Sequence, residues 1–273
     1  ICGDDQITER VIDAAPRLKV ISKWGTGIDS IDQTAAVRRG IPVRNTLNAF
    51  SEPVADTVLG YMLLFARQLD VMNRDIREGR WVKPQLVSLR EKTLGVIGVG
   101  NCGKAVVRRA VAFGMRVLGH DLVEMPADFL ASIGIEMVSR EDLLRQADFV
   151  SLHTTLNSTS YHLIDDEALA LMKPTSYLIN TSRGPVVDEL ALAEALRDGV
   201  IAGAGLDVYE REPAVEAALL PLSDRVVLLP HVGSATPRTR QAMARLAVDA
   251  VDDWLAGRRP RHVVNPAALE VTR

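Results

Sequence analysis

The sequence predicts an α/β protein with a doubly wound parallel sheet and a second, smaller domain built from both chain ends. Three observations predict this fold class. From Thr93 onward, short apolar runs alternate with segments of helical spacing. A glycine-rich turn joins the first of these runs to the first helical segment. A shorter version of the same alternation occupies the beginning of the chain. Continuous aliphatic runs separated by helices are typical of a parallel sheet covered on both faces.

Seven apolar runs make up the expected central sheet. They are Leu94–Ile97, Arg116–Gly119, Ile135–Val138, Phe149–Leu152, Tyr177–Ile179, Ile201–Leu206 and Val226–Leu229. The helical spacing between them is clearest in Lys104–Phe113, Glu141–Ala147 and Glu189–Arg197. Because strands joined through helices run parallel, we expect these runs to form one sheet with helices on both faces.

The two ends of the chain carry the expected smaller domain. The elements there are the strand Leu18–Ser22, the helix Ile31–Arg39 and the strand Ile41–Arg44. Two long helices, one from Ser51 through Leu69 and one over Thr239–Leu255, flank the central repeat and are expected to connect it to this domain. Ser51 and Pro53 are residues favoured at a helix start. We therefore predict a smaller domain from residues 1–49, completed by 257–273, and a central domain over residues 50–256.

Composition limits the classes of function. The chain has 273 residues, which suits one or two domains, and its formal net charge of −3 gives no basic field for nucleic acid. The two cysteines, Cys2 and Cys102, are too few and too distant to indicate a disulfide framework, which favours a reducing cytoplasm. No apolar run is long enough for a membrane span. We expect a cytoplasmic protein with a small-molecule partner, no metal, and no binding to nucleic acid or membrane.

The turn after the first central strand has the pattern of a dinucleotide-binding loop. It reads GVGNCG over residues 98–103, directly between a predicted strand and a predicted helix. Gly98 permits the tight turn, Gly100 lets the backbone approach a pyrophosphate, and Gly103 lets the helix pack against the strand. The alternative is a glycine turn with no ligand.

Three further residues complete the predicted cofactor site. Asn101 and Cys102 lie in the loop and offer backbone amides to the phosphates, and Cys102 is interpreted as a small filler rather than a redox centre. Asp121 follows the second central strand, where a carboxylate accepts hydrogen bonds from the adenosine ribose and repels a 2′-phosphate. The loop therefore predicts NAD, in preference to NADP, as the cofactor.

Three charged or titratable residues stand at or just beyond successive strand ends. They are Arg183 in NTSRGP, Glu212 in GLDVYEREP and His231 in LLPHVGSAT. Each alone is ordinarily a solvated side chain, but ligands of open α/β sheets bind outside the carboxyl ends of the strands. Hydride transfer to a ketone needs a proton donor, a partner for the substrate carboxylate and an orienting group for the donor. Histidine, arginine and glutamate supply these in turn.

With these motifs, the chain resembles the D-isomer-specific 2-hydroxyacid dehydrogenases. The resemblance covers nearly the whole chain and rests on five motifs in order: KWGTGIDSID, GVIGVGNCG, NTSRGPVVDE, GLDVYEREP and PHVGSAT. It implies a Rossmann NAD-binding domain inserted in a smaller flavodoxin-like substrate domain, usually in a homodimer. It also implies a longer N-terminus, so this chain is expected to be N-terminally truncated in that smaller domain.

The resemblance assigns roles to the site residues. Arg183 would hold the substrate carboxylate, His231 would act as acid and base, and Glu212 would be the partner of His231. The further cofactor-binding residues implied are His153, Thr181, Asp207 and Gly233. The loop Gly25, Thr26 and Gly27 matches the segment whose backbone amides hold the substrate carboxylate.

The resemblance leaves the substrate open. Formate dehydrogenases of the superfamily carry glutamine where this chain has Glu212, so formate is not expected. The GTGID wording is similar to phosphoglycerate dehydrogenases, and Lys23 falls where those enzymes place a cation for the substrate phosphate. The alternative for Lys23 is a solvated lysine. The first expectation is 3-phosphoglycerate, and the alternative is glyoxylate or hydroxypyruvate reduction.

The sequence also leaves two hypotheses of another kind open. The family fold also occurs in NADH-sensing transcriptional corepressors, which would make the chain a binding protein. A truncated, inactive fragment that still binds NAD is the other. A peptide-binding cleft would distinguish the first, and the mass of the native protein would test the second.

Overall fold

A computed structural model describes residues 1–258 and 262–271. The strands are β1 Ile21–Ser22, β2 Val43–Arg44, β3 Thr93–Ile97, β4 Arg116–His120, β5 Glu136–Met137, β6 Phe149–Leu152, β7 Tyr177–Asn180, β8 Gly203–Leu206 and β9 Val226–Leu228. The helices are α1 Glu9–Asp13, α2 Gln33–Arg38, α3 Ser51–Arg67, α4 Leu69–Arg77, α5 Asn101–Ala112, α6 Ala127–Ile133, α7 Arg140–Gln146, α8 Asp166–Leu171, α9 Glu189–Asp198, α10 Pro237–Leu255 and α11 Ala268–Val271.

The chain divides into two compact units. The central unit is Ser51–Ser234, and the terminal unit combines Ile1–Phe50 with Ala235–Arg273. On the C-terminal side this division differs from the expected boundary at residue 256, because α10 belongs to the terminal unit. The Ser22 hydroxyl of β1 donates to the carbonyl of Ala247 in α10 at 2.9 Å. That contact spans most of the sequence, so local spacing did not reveal it.

The central unit is a seven-stranded parallel sheet in the order β5-β4-β3-β6-β7-β8-β9. Each of the seven expected strands is present, and the doubly wound α/β fold is confirmed. The first apolar residues of two runs stay outside the sheet: β8 begins at Gly203 and β5 is only Glu136–Met137. The strand order reverses between β3 and β6, which is where sheets of this kind bind ligands.

Apolar side chains cover both faces of this sheet. One buried cluster includes Leu143 and Leu144 of α7, and the other includes Val106 and Val107 of α5. A sheet buried on both faces needs aliphatic residues at consecutive positions, which explains the continuous runs in the sequence. The core therefore fixes the strand ends on which the polar site residues are carried.

The long N-terminal helix of the central unit is interrupted. Ser51 is its first helical residue rather than its cap, and α3 ends at Arg67. Gln68 adopts a left-handed conformation, with φ of 45°, and α4 then begins at Leu69. Within the described chain, no helix has the length and apolar character needed to cross a membrane.

The described part of the terminal unit contains a two-stranded parallel sheet, β1 beside β2. Isolated parallel bridges extend it, pairing Cys2 with Lys23 and Ile7 with Ile31. Its core includes Ile12, Ile21 and Val43. Residues 259–261 and 272–273, which fall in the expected 257–273 segment, lie outside the described residues.

Candidate active site

The glycine loop has the backbone geometry expected of a phosphate-binding turn. Gly98 has φ of +91°, and a Cβ there would lie 2.7 Å from the carbonyl carbon of His153. A Cβ on Gly103 would overlap the carbonyl oxygen of Gly98. Both positions therefore exclude every residue larger than glycine. The tight turn predicted at Gly98 and the close packing predicted at Gly103 are therefore present in the structure.

Gly100 differs from its neighbours because open space lies above it. It is the N-cap of α5, and apart from its own chain neighbours no described atom lies within 4 Å of where its Cβ would be. The first N–H groups of a helix and its dipole attract a phosphate. Asn101, Cys102 and Gly103 form the first turn, and the Cys102 thiol lies 3.8 Å from the Ser51 hydroxyl oxygen. Burial raises the pKa of Cys102, which fits an inert filler.

Asp121 joins the loop to the end of β4. Its Oδ2 accepts from the N–H of Val99 at 2.7 Å, and its Oδ1 accepts from the N–H of Val123 at 2.9 Å. Each carboxylate oxygen can accept more than one hydrogen bond, so both still have capacity for ribose hydroxyls. The negative charge would oppose a phosphate at the same place. Asp121 thus supports the turn, and it can still accept hydrogen bonds from the adenosine ribose of NAD.

A cavity of about 310 Å³ lies along this edge of the sheet. Gly98, Gly100, Asp121, His153 and Thr154 are among its lining residues. Within the described chain, the buried hydroxyls of Thr154 and Thr181 have no hydrogen-bond partner. A buried polar atom without a partner costs about 1–3 kcal/mol, so these hydroxyls are suited to a ligand. The cavity, the open helix start and the unpaired hydroxyls fit NAD.

His153 is a neutral residue at the wall of that cavity. Its Nε2 lies 2.8 Å from the Ser151 hydroxyl oxygen, and desolvation lowers its pKa to about 4. An uncharged imidazole next to a cofactor contributes shape and hydrogen bonding rather than charge. Its predicted contact with the cofactor stays a prediction.

His231 and Glu212 form a direct pair beyond the ends of β9 and β8. Nδ1 of His231 lies 2.8 Å from Oε2 of Glu212. Oε1 of Glu212 accepts from the N–H of Tyr209 at 3.1 Å, which fixes the carboxylate. A carboxylate on Nδ1 orients the ring and leaves Nε2 for a substrate. His231 follows β9 and has φ of 54°, a left-handed conformation.

The pair is arranged for proton transfer near neutral pH. The hydrogen bond to Glu212 raises the pKa of His231 above its ordinary value, although burial and the charge of Arg183 oppose this. Burial would raise the pKa of Glu212, but the hydrogen bonds from His231 and Tyr209 and the positive charges of His231 and Arg183 lower it. A carboxylate that stays ionised stabilises the imidazolium, so His231 can hold a proton for transfer.

Arg183 lies on a turn that its own neighbours fix. The Asn180 amide donates to the carbonyl of Arg183 at 2.8 Å, and Asn180 Oδ1 accepts from the N–H of Ser182 at 3.0 Å. The guanidinium donates through Nη1 to the carbonyl of Ser182 at 2.8 Å. Its charge acts on both His231 and Glu212. The structure therefore brings these three predicted residues into one electrostatic group.

Asp207 and Gly233 contact each other in the described chain. Oδ1 of Asp207 accepts from the N–H of Val232 at 2.8 Å, and Oδ2 accepts from the N–H of Gly233 at 2.7 Å. The Asp207 carboxylate is buried, and burial raises its pKa, against the lowering effect of these two hydrogen bonds. Asp207 thus anchors the turn that carries His231. The expected contact of Asp207 with the cofactor stays a prediction.

Tyr209 is a supporting residue that sequence reasoning missed. Its hydroxyl donates to the carbonyl of Leu229 at 2.8 Å and is 3.2 Å from that of Leu206. Burial raises the pKa of Tyr209 to about 12, so it remains a donor. The sequence signal was its place inside GLDVYEREP, three residues before Glu212. A cavity of about 400 Å³ with mainly apolar walls lies beside Tyr209, Glu212 and His231.

The predicted substrate residues Lys23, Gly25, Thr26 and Gly27 lie in the terminal unit. The N–H of Gly25 donates to the Thr46 hydroxyl at 3.0 Å, and Asn45 donates to the carbonyl of Thr26 at 2.8 Å. These bonds shape the loop and use one of its amides. The role of Gly27 and of the other amides stays a prediction.

Lys23 is buried, which differs from the expected phosphate ligand. It is 2% exposed, and its ammonium donates to the carbonyl of Gly3, to Oδ1 of Asp4 at 2.9 Å and to the Ser30 hydroxyl at 3.4 Å. An ammonium has three donors, and these acceptors use them inside the terminal unit. This geometry gives no support to a phosphate contact by Lys23. The described residues also contain no group of three metal-ligating side chains.

A dinucleotide loop and a histidine–carboxylate pair on one sheet define the class of nicotinamide-dependent dehydrogenases. The reason is chemical, since hydride transfer to a carbonyl requires a cofactor site and a proton donor. Comparison with known proteins then identifies the family. The chain belongs to the D-isomer-specific 2-hydroxyacid dehydrogenases, because the model of the "D-isomer specific 2-hydroxyacid dehydrogenase, NAD binding domain" matches residues 59–233. The family resemblance, the enzyme class and NAD as cofactor are confirmed.

The chain is similar to glyoxylate reductases and to a phosphoglycerate dehydrogenase. A glyoxylate reductase of Korarchaeum cryptofilum is 41% identical over 98% of this chain and 82% of that protein. A D-3-phosphoglycerate dehydrogenase of Methanocaldococcus jannaschii is 39% identical over 95% of this chain and 50% of that protein. The crystal structure of a glyoxylate reductase from Paecilomyes thermophila has a TM-score of 0.87 and 36% identity, covering 94% of this chain and 79% of that one.

Replacing Gly100 by alanine is expected to weaken NADH binding without lowering stability. Gly100 has φ of −74°, which alanine adopts, and its Cβ would point into open space. That space is where a pyrophosphate would approach the backbone. We expect the dissociation constant of NADH, measured by fluorescence titration, to rise at least about tenfold, equivalent to about 1.4 kcal/mol.

Gly60→Ala is the matched control for this substitution. Gly60 lies exposed in α3, and apart from the neighbouring backbone of that helix no described atom is within 4 Å of its Cβ position. The control should keep the parent affinity for NADH and raise the stability of the helix by about 0.5–1 kcal/mol. An unchanged NADH affinity in Gly100→Ala would contradict the assignment of this loop to the cofactor.

Proposed function

We propose that this chain is an NAD-dependent reductase of glyoxylate and hydroxypyruvate. The observation that carries the proposal is the 2.8 Å contact between His231 Nδ1 and Glu212 Oε2 beside the NAD-binding sheet. That arrangement suits proton exchange with the oxygen of a 2-oxo acid. Two features support the choice of substrate within the family. The relatives named glyoxylate reductase match over most of their length, and the Lys23 ammonium has its acceptors inside the terminal unit.

The expectation of 3-phosphoglycerate is not supported to the same degree. It depended on Lys23 as a cation for the phosphate and on the GTGID wording. The buried Lys23 removes the first of these arguments. A phosphoglycerate dehydrogenase is among the relatives, beside several relatives named glyoxylate reductase. Reduction of glyoxylate or hydroxypyruvate, the alternative that the sequence left open, is therefore the better supported reaction.

The chemistry divides between the cofactor and three side chains. Bound NADH supplies a hydride to the carbonyl carbon of the 2-oxo acid. His231, protonated and oriented by Glu212, delivers a proton to the carbonyl oxygen through Nε2. Arg183 pairs with the substrate carboxylate and polarises the carbonyl, for which a planar guanidinium is suited. In the reverse direction, neutral His231 accepts the proton of the hydroxyl group.

The test of this function is a substrate comparison with purified protein. NADH oxidation would be followed with glyoxylate, hydroxypyruvate, phosphohydroxypyruvate and pyruvate in parallel, and NADPH would serve as the control cofactor. We expect the highest kcat/KM with glyoxylate or hydroxypyruvate and a preference for NADH, because Asp121 opposes a 2′-phosphate. A clear preference for phosphohydroxypyruvate would overturn the substrate proposal. A preference for NADPH would overturn the Asp121 argument.

The pH dependence follows from the raised pKa of His231. Reduction uses the protonated imidazole, so kcat/KM for glyoxylate is expected to fall as pH rises through a value above the ordinary 6.5. Oxidation of the hydroxy acid uses the neutral form and should rise over the same range. Glu212→Gln removes the charge that raises this pKa. The fall in reduction and the rise in oxidation should therefore both move to lower pH. Steady-state rates from about pH 5 to 9 would test this, and identical profiles in both directions would contradict it.

A homodimer and a cytoplasmic location stay predictions. An exposed apolar surface on α4 and the segment after it supports the dimer, since Leu69, Ile76 and Val82 are exposed and Trp81 is 79% exposed. Apolar patches of this kind mark association surfaces. We expect light scattering to give a dimer mass and Trp81→Asp to lower it. A monomer mass for the parent protein would contradict this.

A further inference from the structure

Glu210 lies two residues before Glu212 and is held by two other segments of the central unit. Its N–H donates to Oε1 of Glu189 at 2.7 Å, and its Oε1 accepts from the N–H of Glu189 at 3.2 Å. Nε2 of His162 lies 3.0 Å from the same oxygen. Glu189, Glu210 and His162 are called the Glu210 cluster below. Its members lie far apart in sequence, so the fold alone assembles it.

The two partners of Glu210 are themselves fixed in place. Glu189 opens α9 and is 5% exposed. The backbone N–H of His162 donates to the carbonyl of Pro185 at 2.8 Å, and its Nδ1 lies 3.5 Å from Oδ2 of Asp188. The cluster therefore connects the segment after β8 to the start of α9 and to the segment between β6 and α8.

The turn that carries Arg183 rests on the same segment. A Cβ on Gly184 would overlap the carbonyl group of Tyr209 and the nitrogen of Glu210. The two backbones are thus in direct contact, and only glycine permits that approach. A displacement of the Glu210 peptide would disturb the support of Arg183 as well as the position of Glu212.

We propose that the Glu210 cluster is a positioning device for the proton-transfer pair, in which Glu210 fixes the backbone from which Glu212 reaches His231. The cluster acts through Glu212, so its members are positioning residues rather than catalytic ones. Its kinetic consequences depend on the proposed reductase function, whereas its effect on His231 does not. A reacting group misplaced by about 1 Å can lose about 10²-fold in rate, which makes such support consequential.

His231 and His162 have different charged neighbours, so a test can distinguish their pKa values. Glu212, Arg183 and Asp207 act on His231, and Glu212 makes the hydrogen bond to its ring. Glu210 and Asp188 lie against His162. If the cluster positions Glu212, loosening Glu210 should lower the pKa of His231 through a longer contact with Glu212.

The experiment compares Glu210→Ala and Glu210→Gln with the control Glu194→Ala. Glu194 lies exposed on α9, so its loss removes a similar charge from the same region. Glutamine keeps an oxygen that accepts from Glu189 and His162, whereas alanine removes it. Histidine ring-proton titration by NMR, without cofactor or substrate, would measure the pKa of His231, with His231→Asn identifying its resonance. Kinetics with glyoxylate and NADH would give kcat and KM separately.

We expect Glu210→Ala to lower the pKa of His231 by about 0.5 pH unit. The same variant should lower kcat about tenfold with a smaller change in KM. Glu210→Gln should have a His231 pKa and a kcat close to those of the parent protein, and Glu194→Ala should match the parent in both. A Glu210→Ala protein with the parent pKa of His231 and a kcat within about twofold would overturn the proposal.

Two further outcomes keep the test decisive. If Glu210→Ala does not fold, His162→Asn takes its place, because asparagine tolerates the φ of 47° at that position. A parent-like His231 pKa and kcat in that variant would overturn the proposal. If the parent protein reduces none of the acids, the proposed function has failed. The NMR titration still decides the positioning role.

Discussion

Replacing His231 by asparagine is expected to lower kcat for glyoxylate reduction by about 10²–10⁴-fold, the usual contribution of a general acid. Asparagine suits the test because His231 has φ of 54°, and asparagine is among the few residues that adopt this conformation readily. The dissociation constant of NADH should stay near the parent value, since the predicted cofactor contacts are made by other residues. Stopped-flow or steady-state kinetics with a fluorescence titration of NADH would measure both.

His262→Asn is the matched control for this prediction. His262 is exposed in the terminal unit and has φ of 58°, so the substitution makes the same chemical change in a similar conformation. It should leave kcat and NADH binding at parent values. A His231→Asn protein with the parent kcat would contradict the assignment of His231 as the acid and base. Loss of NADH binding in that protein would contradict the separation of the two sites.

Replacing Arg183 by glutamine is expected to lower kcat/KM about 10²-fold or more. A charged hydrogen bond contributes about 1.5–3 kcal/mol, and about 1.4 kcal/mol is tenfold, so loss of a guanidinium–carboxylate pair reaches this size. Arg183→Lys keeps the charge but loses the planar guanidinium, so the activity of this variant should lie between those of Arg183→Gln and the parent protein. Arg197→Gln on the exposed face of α9 is the control and should match the parent.

A second readout separates a direct role of Arg183 from simple misfolding. The charge of Arg183 lowers the pKa of His231 in the parent protein. Its removal should therefore raise that pKa, and the falling limb of the residual reduction activity should move to higher pH. A glutamine variant with reduced activity and an unmoved pH profile would indicate that Arg183 lies too far from the pair to act on it.

The architecture of the central unit was predictable because its physical cause is local. Strands buried on both faces need an apolar residue at nearly every position, and Phe149–Leu152 and Tyr177–Asn180 show this in the described burial. The glycine loop was predictable for a similar reason. A positive φ at Gly98 and a close approach at Gly103 leave only glycine at those positions.

The polar partners were only partly predictable. The pairing of His231 with Glu212 was expected from the family resemblance, and the structure shows that contact. The burial of Lys23 was not expected, because its three acceptors come from Gly3, Asp4 and Ser30, whose approach depends on packing in the terminal unit. The place of α10 in the terminal unit likewise depends on a contact between Ser22 and Ala247.

The sequence by itself determined the fold class, the cofactor loop and the set of residues suited to hydride transfer. These follow from burial patterns, backbone constraints and side-chain chemistry, all of which act within short segments. The tertiary structure alone decided where each charge found its partner: Lys23 inward, Asp207 on the turn after β9, and Glu210 between Glu189 and His162. Such partners lie far apart along the chain, and a hydrogen bond depends on tenths of an ångström that no local pattern specifies.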